Sequence, residues 1–196
     1  MSEFRRRLLM QSKSLLPSGY TRLAYIEADG KQLLSTKIPF SETKISCDCQ
    51  GLIELTTTQI LISASNNAGS WFGIANKIYT AGGSTTFPEI PFNNRISVYI
   101  EFGKWDEANN TIYRINGIEK TRTKAKKTYN PSINLSYSDN MCYAKYYSLV
   151  IRDFSDNILF NGIPAIDNNG NVGLFDTITQ QLFQSTTGTQ FIAGYE

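Results

Sequence analysis

Between Arg95 and Phe102 apolar and polar side chains alternate, with Ile96, Val98 and Ile100 on one face and Ser97, Tyr99 and Glu101 on the other. A period of two marks an antiparallel strand with one buried face and one solvated face. From Tyr20 onward the chain consists of short runs rich in β-branched and aromatic residues, separated by turn residues. These runs predict strands at 20–27, 32–38, 43–55, 59–65, 70–75, 95–102, 110–115, 118–123, 132–137, 143–154, 157–161, 172–176 and 181–184. That is enough for two antiparallel sheets in an all-β sandwich.

Turn chemistry supports this division. Asn116-Gly117 lies between two strand-like runs and is the preferred pair for a tight type I′ hairpin, and Asn168-Asn169-Gly170-Asn171 repeats the signal near the end. Lys120, Arg122, Lys124, Lys126 and Lys127 follow the first hairpin. Lysines of this kind protect a sheet edge from pairing, and they also suit an acidic partner surface. The segments 82–91 and 103–110 read as the longest irregular loops, where a rigid sandwich carries recognition.

Residues 1–18 differ from the rest. Phe4, Leu8, Leu9, Leu15 and Leu16 fall near helical spacing, Arg5, Arg6, Arg7 and Lys13 lie among them, and Pro17-Ser18-Gly19 stops the segment. This predicts a basic N-terminal arm ahead of one β domain at 19–196. The three apolar residues Leu8-Leu9-Met10 are too few for the core of a secretory signal, and no run reaches the length of a membrane span. The expectation is a protein made in a cytoplasm.

Composition narrows the chemistry. With 196 residues, 41% hydrophobic and 12% aromatic, the chain can bury one sizeable core. The formal net charge of +2 is too small for a whole-molecule field toward nucleic acid. There is no histidine, which removes the commonest general base and the commonest transition-metal ligand. The three cysteines, Cys47, Cys49 and Cys142, do not form an even disulfide framework. Two strand rises would separate Cys47 and Cys49 by about 6.6 to 7 Å, at the limit for a bridge, so they read as buried reduced thiols.

A sandwich hydrolase would need paired carboxylates across a scissile bond, but Asp48, Glu54, Glu101 and Asp153 each stand alone in their segments. The expectation is therefore a protein that is not an enzyme and carries no cofactor. Asp167, Asn168, Asn169 and Asn171 could offer oxygens to calcium, yet one carboxylate beside a turn glycine is explained by the hairpin. For a sugar platform the residues to consider are Trp71, Tyr79, Trp105 and Asp106, with Tyr99, Asn66, Asn67 and Asn76 beside them.

The opening Gly19-Tyr20-Thr21, Leu23, Tyr25-Ile26-Glu27, Gly30 and Gln32, and the closing Gly173-Leu174-Phe175-Asp176, Phe183, Gly188-Thr189-Gln190-Phe191 and Gly194, with Ile151-Arg152-Asp153-Phe154 ahead of them, carry a resemblance. They resemble the entry and exit of a concanavalin A-like (laminin G-like) β-sandwich module found in phage and prophage virion surface proteins. Leu33-Leu34-Ser35-Thr36 departs from that pattern, and residues 40–140 match no motif of it. The resemblance implies a jelly-roll sandwich of two antiparallel sheets. It also implies a virion location, decorating the capsid or forming part of a head fibre in many copies.

On that reading the arm residues Phe4, Arg5, Arg6, Arg7, Leu8 and Leu9 hold capsid or fibre subunits, with no direct contact to nucleic acid or membrane. The alternative is a carbohydrate- or receptor-binding module of a phage tail or a bacterial surface protein, with glycans as partners.

Overall fold

The computed structural model describes residues 16–52, 61–65, 71–74, 77–80, 83–86, 93–104, 109–124, 132–136 and 143–195. Every regular element among them is a strand, and the strands form two antiparallel sheets. The arm residues 1–15 lie outside the described residues, as do Trp105 and Asp106.

The middle of the larger sheet is β4 (Thr43–Gly51), flanked by β9 (Ile96–Phe102) and β13 (Tyr143–Asp153). Strict alternation places Ile45, Cys47 and Cys49 of β4 and Ile96, Val98, Ile100 and Phe102 of β9 in the core. In β13 the alternation slips. Ala144 and Tyr146 point inward, and so do Leu149 and Ile151, because Tyr147 is inserted between the pairs Tyr146–Cys49 and Ser148–Asp48. The bulge keeps both halves of the strand facing the same core and turns Tyr147 toward the outer surface.

Beyond β9 lie β10 (Asn109–Ile115) and β11 (Ile118–Lys124), joined at Asn116 and Gly117, whose φ values of 49° and 80° are those of the predicted type I′ turn. On the other side, β13 is shared end to end. Its first half pairs with β2 (Tyr25–Asp29) and its second half with β14 (Ile158–Asp167). β15 (Val172–Asp176) and β16 (Gln181–Phe183) follow β14, β1 (Tyr20–Arg22) pairs with the far half of β14, and β17 (Ile192–Gly194) pairs with β2.

The smaller sheet runs in the order β3 (Leu34–Pro39), β12 (Ser132–Leu135), β5 (Ile62–Ser65), β6 (Trp71–Ile74), β7 (Lys77–Thr80), β8 (Gly83–Thr86). Leu34, Ile62, Ala64, Ile133 and Leu135 from this sheet enter the same buried cluster as the inward residues of the larger one. Phe40 and Phe102 stack with centroids 4.2 Å apart, and the Tyr146 hydroxyl donates to the Leu61 carbonyl at 2.9 Å across the core. Burying a hydroxyl is tolerable only with such a partner.

The structure corrects the sequence reading at several strands. Residues 83–86, assigned to an irregular loop, form β8; residues 77–80 form β7; and Ile192–Gly194 forms β17. The predicted strand 20–27 is two strands, because Leu23 and Ala24 break away to bond Pro164 and Gly194.

Three hairpin loops are fastened by a carboxylate at their first position. Asp153 accepts from the Asn157 backbone and side chain, and Asp167 from the backbone of Asn169 and Asn171 and the Asn171 amide. Asp176 accepts from four donors in and around the turn after β15. Each loop then needs a left-handed residue, supplied by Asp156, Gly170 and Gln180.

Hydrogen bonds from Asn157 hold the Asp153 carboxyl below its usual pKa, and those from Asn171 do the same for Asp167. A depressed folded-state pKa adds stability that is fully present at neutral pH and is lost as the pH falls through the folded value. Asp167→Asn is therefore expected to melt below the parent at neutral pH, with the gap closing as the pH drops below about 4. Thermal melts across that range check this, and a gap that stays constant would refute it.

Candidate functional site

The outward positions of the larger sheet form a grid set by register. Across one row lie Glu119, Arg114, Tyr99, Ser46 and Val150; across the next, Ser97, Asp48 and Ser148. These are the residues that alternation keeps out of the core, so nothing in the interior dictates their chemistry.

Aromatic–cation stacks stand on this face. In one, the Arg114 guanidinium lies over the Tyr99 ring at 4.8 Å and pairs through Nε with Glu119 at 2.7 Å. The Tyr99 hydroxyl donates to Glu101 at 3.1 Å. The Glu119 hydrogen bond holds Arg114 above its ordinary pKa, while burial, followed by the Glu101 bond, raises that of Tyr99. Both stay in their usual forms at neutral pH.

In another stack, Arg95 lies over Tyr147 at 4.2 Å and pairs with Asp48 at 2.6 Å. Tyr147 donates to Gln50 at 2.7 Å, and the Gln50 amide donates to the Asn93 carbonyl at 2.9 Å. Beside it, the Tyr25 ring lies 5.6 Å from Tyr147 and carries the Lys145 ammonium at 4.2 Å, with Glu27 3.8 Å from that ammonium. Exposed ion pairs of this kind contribute little stability singly.

Next to the first stack the face is hollow. Ser46, Ser97, Val98, Tyr99, Arg114 and Gly117 line a depression of about 340 Å³. Small side chains line it beside larger ones: Ser46 of β4 lies opposite Tyr99 of β9, Ser97 lies two residues before Tyr99 on β9, Arg114 of β10 lies on the other side of Tyr99, and Gly117 adds no side chain. The Val98 side chain is buried in the core, so this residue contributes its main chain.

Of the sequence candidates, Trp71 lies in β6 and Tyr79 in β7, on adjacent strands where Gly73 pairs with Tyr79. Both belong to the smaller sheet, apart from the hollow. Trp105, Asp106 and the arm residues Phe4, Arg5, Arg6, Arg7, Leu8 and Leu9 lie outside the described residues, as do Glu54, Asn66, Asn67 and Asn76. Tyr99, considered for its exposure on β9, is the aromatic that lines the hollow. Arg114, Ser46 and Ser97 were missed, because only cross-strand register brings them to Tyr99.

Of the acids considered for a catalytic pair, the described ones each face a different partner: Asp48 has Arg95, Glu101 has Tyr99 and Asp153 has Asn157. Among the described residues no three of His, Cys, Asp and Glu gather as a metal site. Cys47 and Cys49 are buried free thiols, and a hydrogen bond to Cys47 together with burial pushes the Cys49 thiol well above its ordinary pKa. This favours the unreactive protonated form. No family model and no curated protein matches the sequence.

Proposed function

We propose that the chain is a structural component of a phage virion, a jelly-roll β-sandwich module that decorates the capsid or forms part of a head fibre through its N-terminal arm. The observation that supports this reading is the meeting of the two segments that carry the family resemblance. They lie at opposite ends of the sequence and fold as one seam.

Tyr25, Ile26 and Glu27 pair with Gly194, Ala193 and Ile192, and the Tyr20 ring stacks on Phe175 at 4.6 Å. Gln32, buried to 1% exposure, accepts from the Asp29 and Lys31 backbones and donates to the Gln190 carbonyl at 2.8 Å. Thr186 and Thr187 bond the backbone of Leu33 and Lys31. The residues that carry the resemblance share a structural job, closing the entry of the domain against its exit, and this is what supports the reading.

The arm joins this seam at Pro17-Ser18-Gly19, where Tyr20 donates to the Pro17 carbonyl and Asn168 to the Gly19 carbonyl. In the proposal Phe4, Leu8 and Leu9 dock on a neighbouring subunit and Arg5, Arg6 and Arg7 meet its acidic side chains. Deleting residues 1–16 is expected to leave a folded domain, with an unchanged circular dichroism spectrum, that no longer enters particles when purified virions are analysed by mass spectrometry. Full incorporation of the deletion would overturn the reading.

A further inference from the structure

We infer that the outer edge of β11 takes up an acidic, extended segment of a partner protein as an added antiparallel strand. The inference stands on the free edge of the larger sheet and does not depend on a virion location.

The main chain is the first support. β11 ends the larger sheet, and among the described residues no strand pairs with its outer side. Its pairing with β10 runs without a register shift from Ile115–Ile118 to Asn109–Lys124. The tight turn at Asn116 and Gly117 makes Ile115–Ile118 a hydrogen-bonded pair, so by antiparallel alternation Tyr113–Lys120 and Thr111–Arg122 are hydrogen-bonded pairs as well. The N–H and C=O groups of Glu119, Thr121 and Thr123 therefore point away from β10, at the spacing a further strand would use.

Sheets commonly blunt such an edge by keeping it short, kinking it or placing proline on it. Elsewhere this protein does so: β16 is three residues long, and β3 carries Pro39 and a left-handed Lys37 at φ 60°. β11 has seven residues with no proline, no bulge and no positive φ, which leaves charge as its protection.

That charge chooses the partner. β11 carries Lys120, Arg122 and Lys124 at alternate positions, which a strand places on one face, while Glu119 on the other face is paired with Arg114 at 2.7 Å. A second copy joined through β11 about a two-fold axis at Thr121 would set Lys120 opposite Arg122 twice over, and like charges directly opposite destabilise a sheet. A segment with carboxylates at alternate positions sets an opposite charge beside each cation instead, and the same row turns basic segments away. Ile118, 51% exposed, continues the row toward the turn and gives an apolar residue of the partner a place to pack. Main-chain bonds supply the attraction and the cationic row the selection.

Amide-resolved NMR of the full chain, titrated with capped heptapeptides, tests the edge. One peptide alternates threonine with glutamate, a second alternates threonine with lysine, and a third is the acidic peptide N-methylated at its threonines, the residues that would bond Glu119, Thr121 and Thr123. The acidic peptide is expected to shift those amides and protect them from hydrogen exchange, with a Kd of roughly 1 mM or below. It is expected to bind at least about tenfold tighter than the other two. Thr121→Pro removes an outward N–H without touching the bonds to β10, and is expected to abolish binding while the amide signals of the other strands stay in place. Lys120→Glu, a change at an exposed position, is expected to weaken the acidic peptide about tenfold and to strengthen the basic one. The proposal fails if no peptide protects these amides, if the lysine or N-methylated peptide binds as tightly, or if binding survives both substitutions. It also fails if a thymidine oligonucleotide shifts the same amides as strongly as the acidic peptide does, or if the free chain sediments as a dimer that Thr121→Pro separates.

Discussion

Gly173→Ala is expected to destabilise the fold by about 3 kcal/mol or more, a large effect for one added methyl group. Gly173 is buried within β15, opposite Ala165, and a Cβ built on it would overlap the carbonyl group of Phe183. The obstacle is main chain, so no rotamer change relieves it. Either β16 leaves β15, losing the pairs Leu174–Phe183 and Phe175–Leu182, or β15 shifts against β14. Phe183 also holds the Phe160 ring edge-on at 5.1 Å, so displacing β16 loosens the core beneath it.

Gly170→Ala provides the control. Gly170 has φ of 82° with open space around its missing Cβ, so that substitution costs only the left-handed conformation, about 1 to 2 kcal/mol. Urea unfolding of both variants separates the two causes. Equal losses would mean that close approach to Phe183 is not what requires glycine at 173.

The same pair shows what the sequence reveals and what it hides. Gly170 is legible because Asn-Asn-Gly-Asn between apolar runs is turn chemistry, local to four residues. Gly173 reads as an ordinary strand residue, and its close neighbour at Phe183 becomes known only once β15 and β16 are paired. Strands β4 and β9 were readable for the first reason, since alternation needs no partner. β8 was not, because Gly83-Ser84-Thr85-Thr86 has turn composition and becomes a strand through its pairing with Lys77–Thr80. β17, with Ile192-Ala193-Gly194, is likewise made by its partner: Gly194 leaves room for the Tyr25 ring.

The cluster on the outer face falls on the hidden side of this line. Alternation places Tyr99 and Ser97 outward on β9, but Arg114 reaches Tyr99 only through the β9–β10 register, and Ser46 through the β4–β9 register. Tyr147 is further removed, since a bulge that no local pattern announces brings it to Arg95. Stable scaffold and surface chemistry are thus written separately. The inward residues fix the sheets, and the outward ones carry chemistry that the core does not dictate.

Asp176→Ala is expected to be the other severe substitution, costing about 3 to 5 kcal/mol. The carboxylate is fully buried, and its oxygens divide the work: Oδ1 accepts from the Asn161 and Ile178 backbones at 2.8 and 3.2 Å, and Oδ2 from the Thr179 backbone and hydroxyl at 3.0 and 2.7 Å. Alanine removes one acceptor group that serves four donors at once and leaves a gap where a fully buried carboxylate stood, so the half-buried Asn161 N–H loses its partner and the turn loses its anchor together. Asn161 also bonds Thr177 through its side-chain amide, so the middle of β14 and the turn after β15 loosen together. Asp176→Asn discriminates this account from a general intolerance of change. The amide oxygen in the Oδ1 position still accepts from Asn161 and Ile178, and the amide nitrogen can donate to the Thr179 hydroxyl but faces the Thr179 N–H as donor against donor. Its loss is expected to be about half that of alanine, measured by denaturant unfolding at neutral pH. If the two substitutions cost the same, the four-donor turn is not what holds β14, β15 and β16 together, and the packing of Phe175 and Leu174 alone must do so.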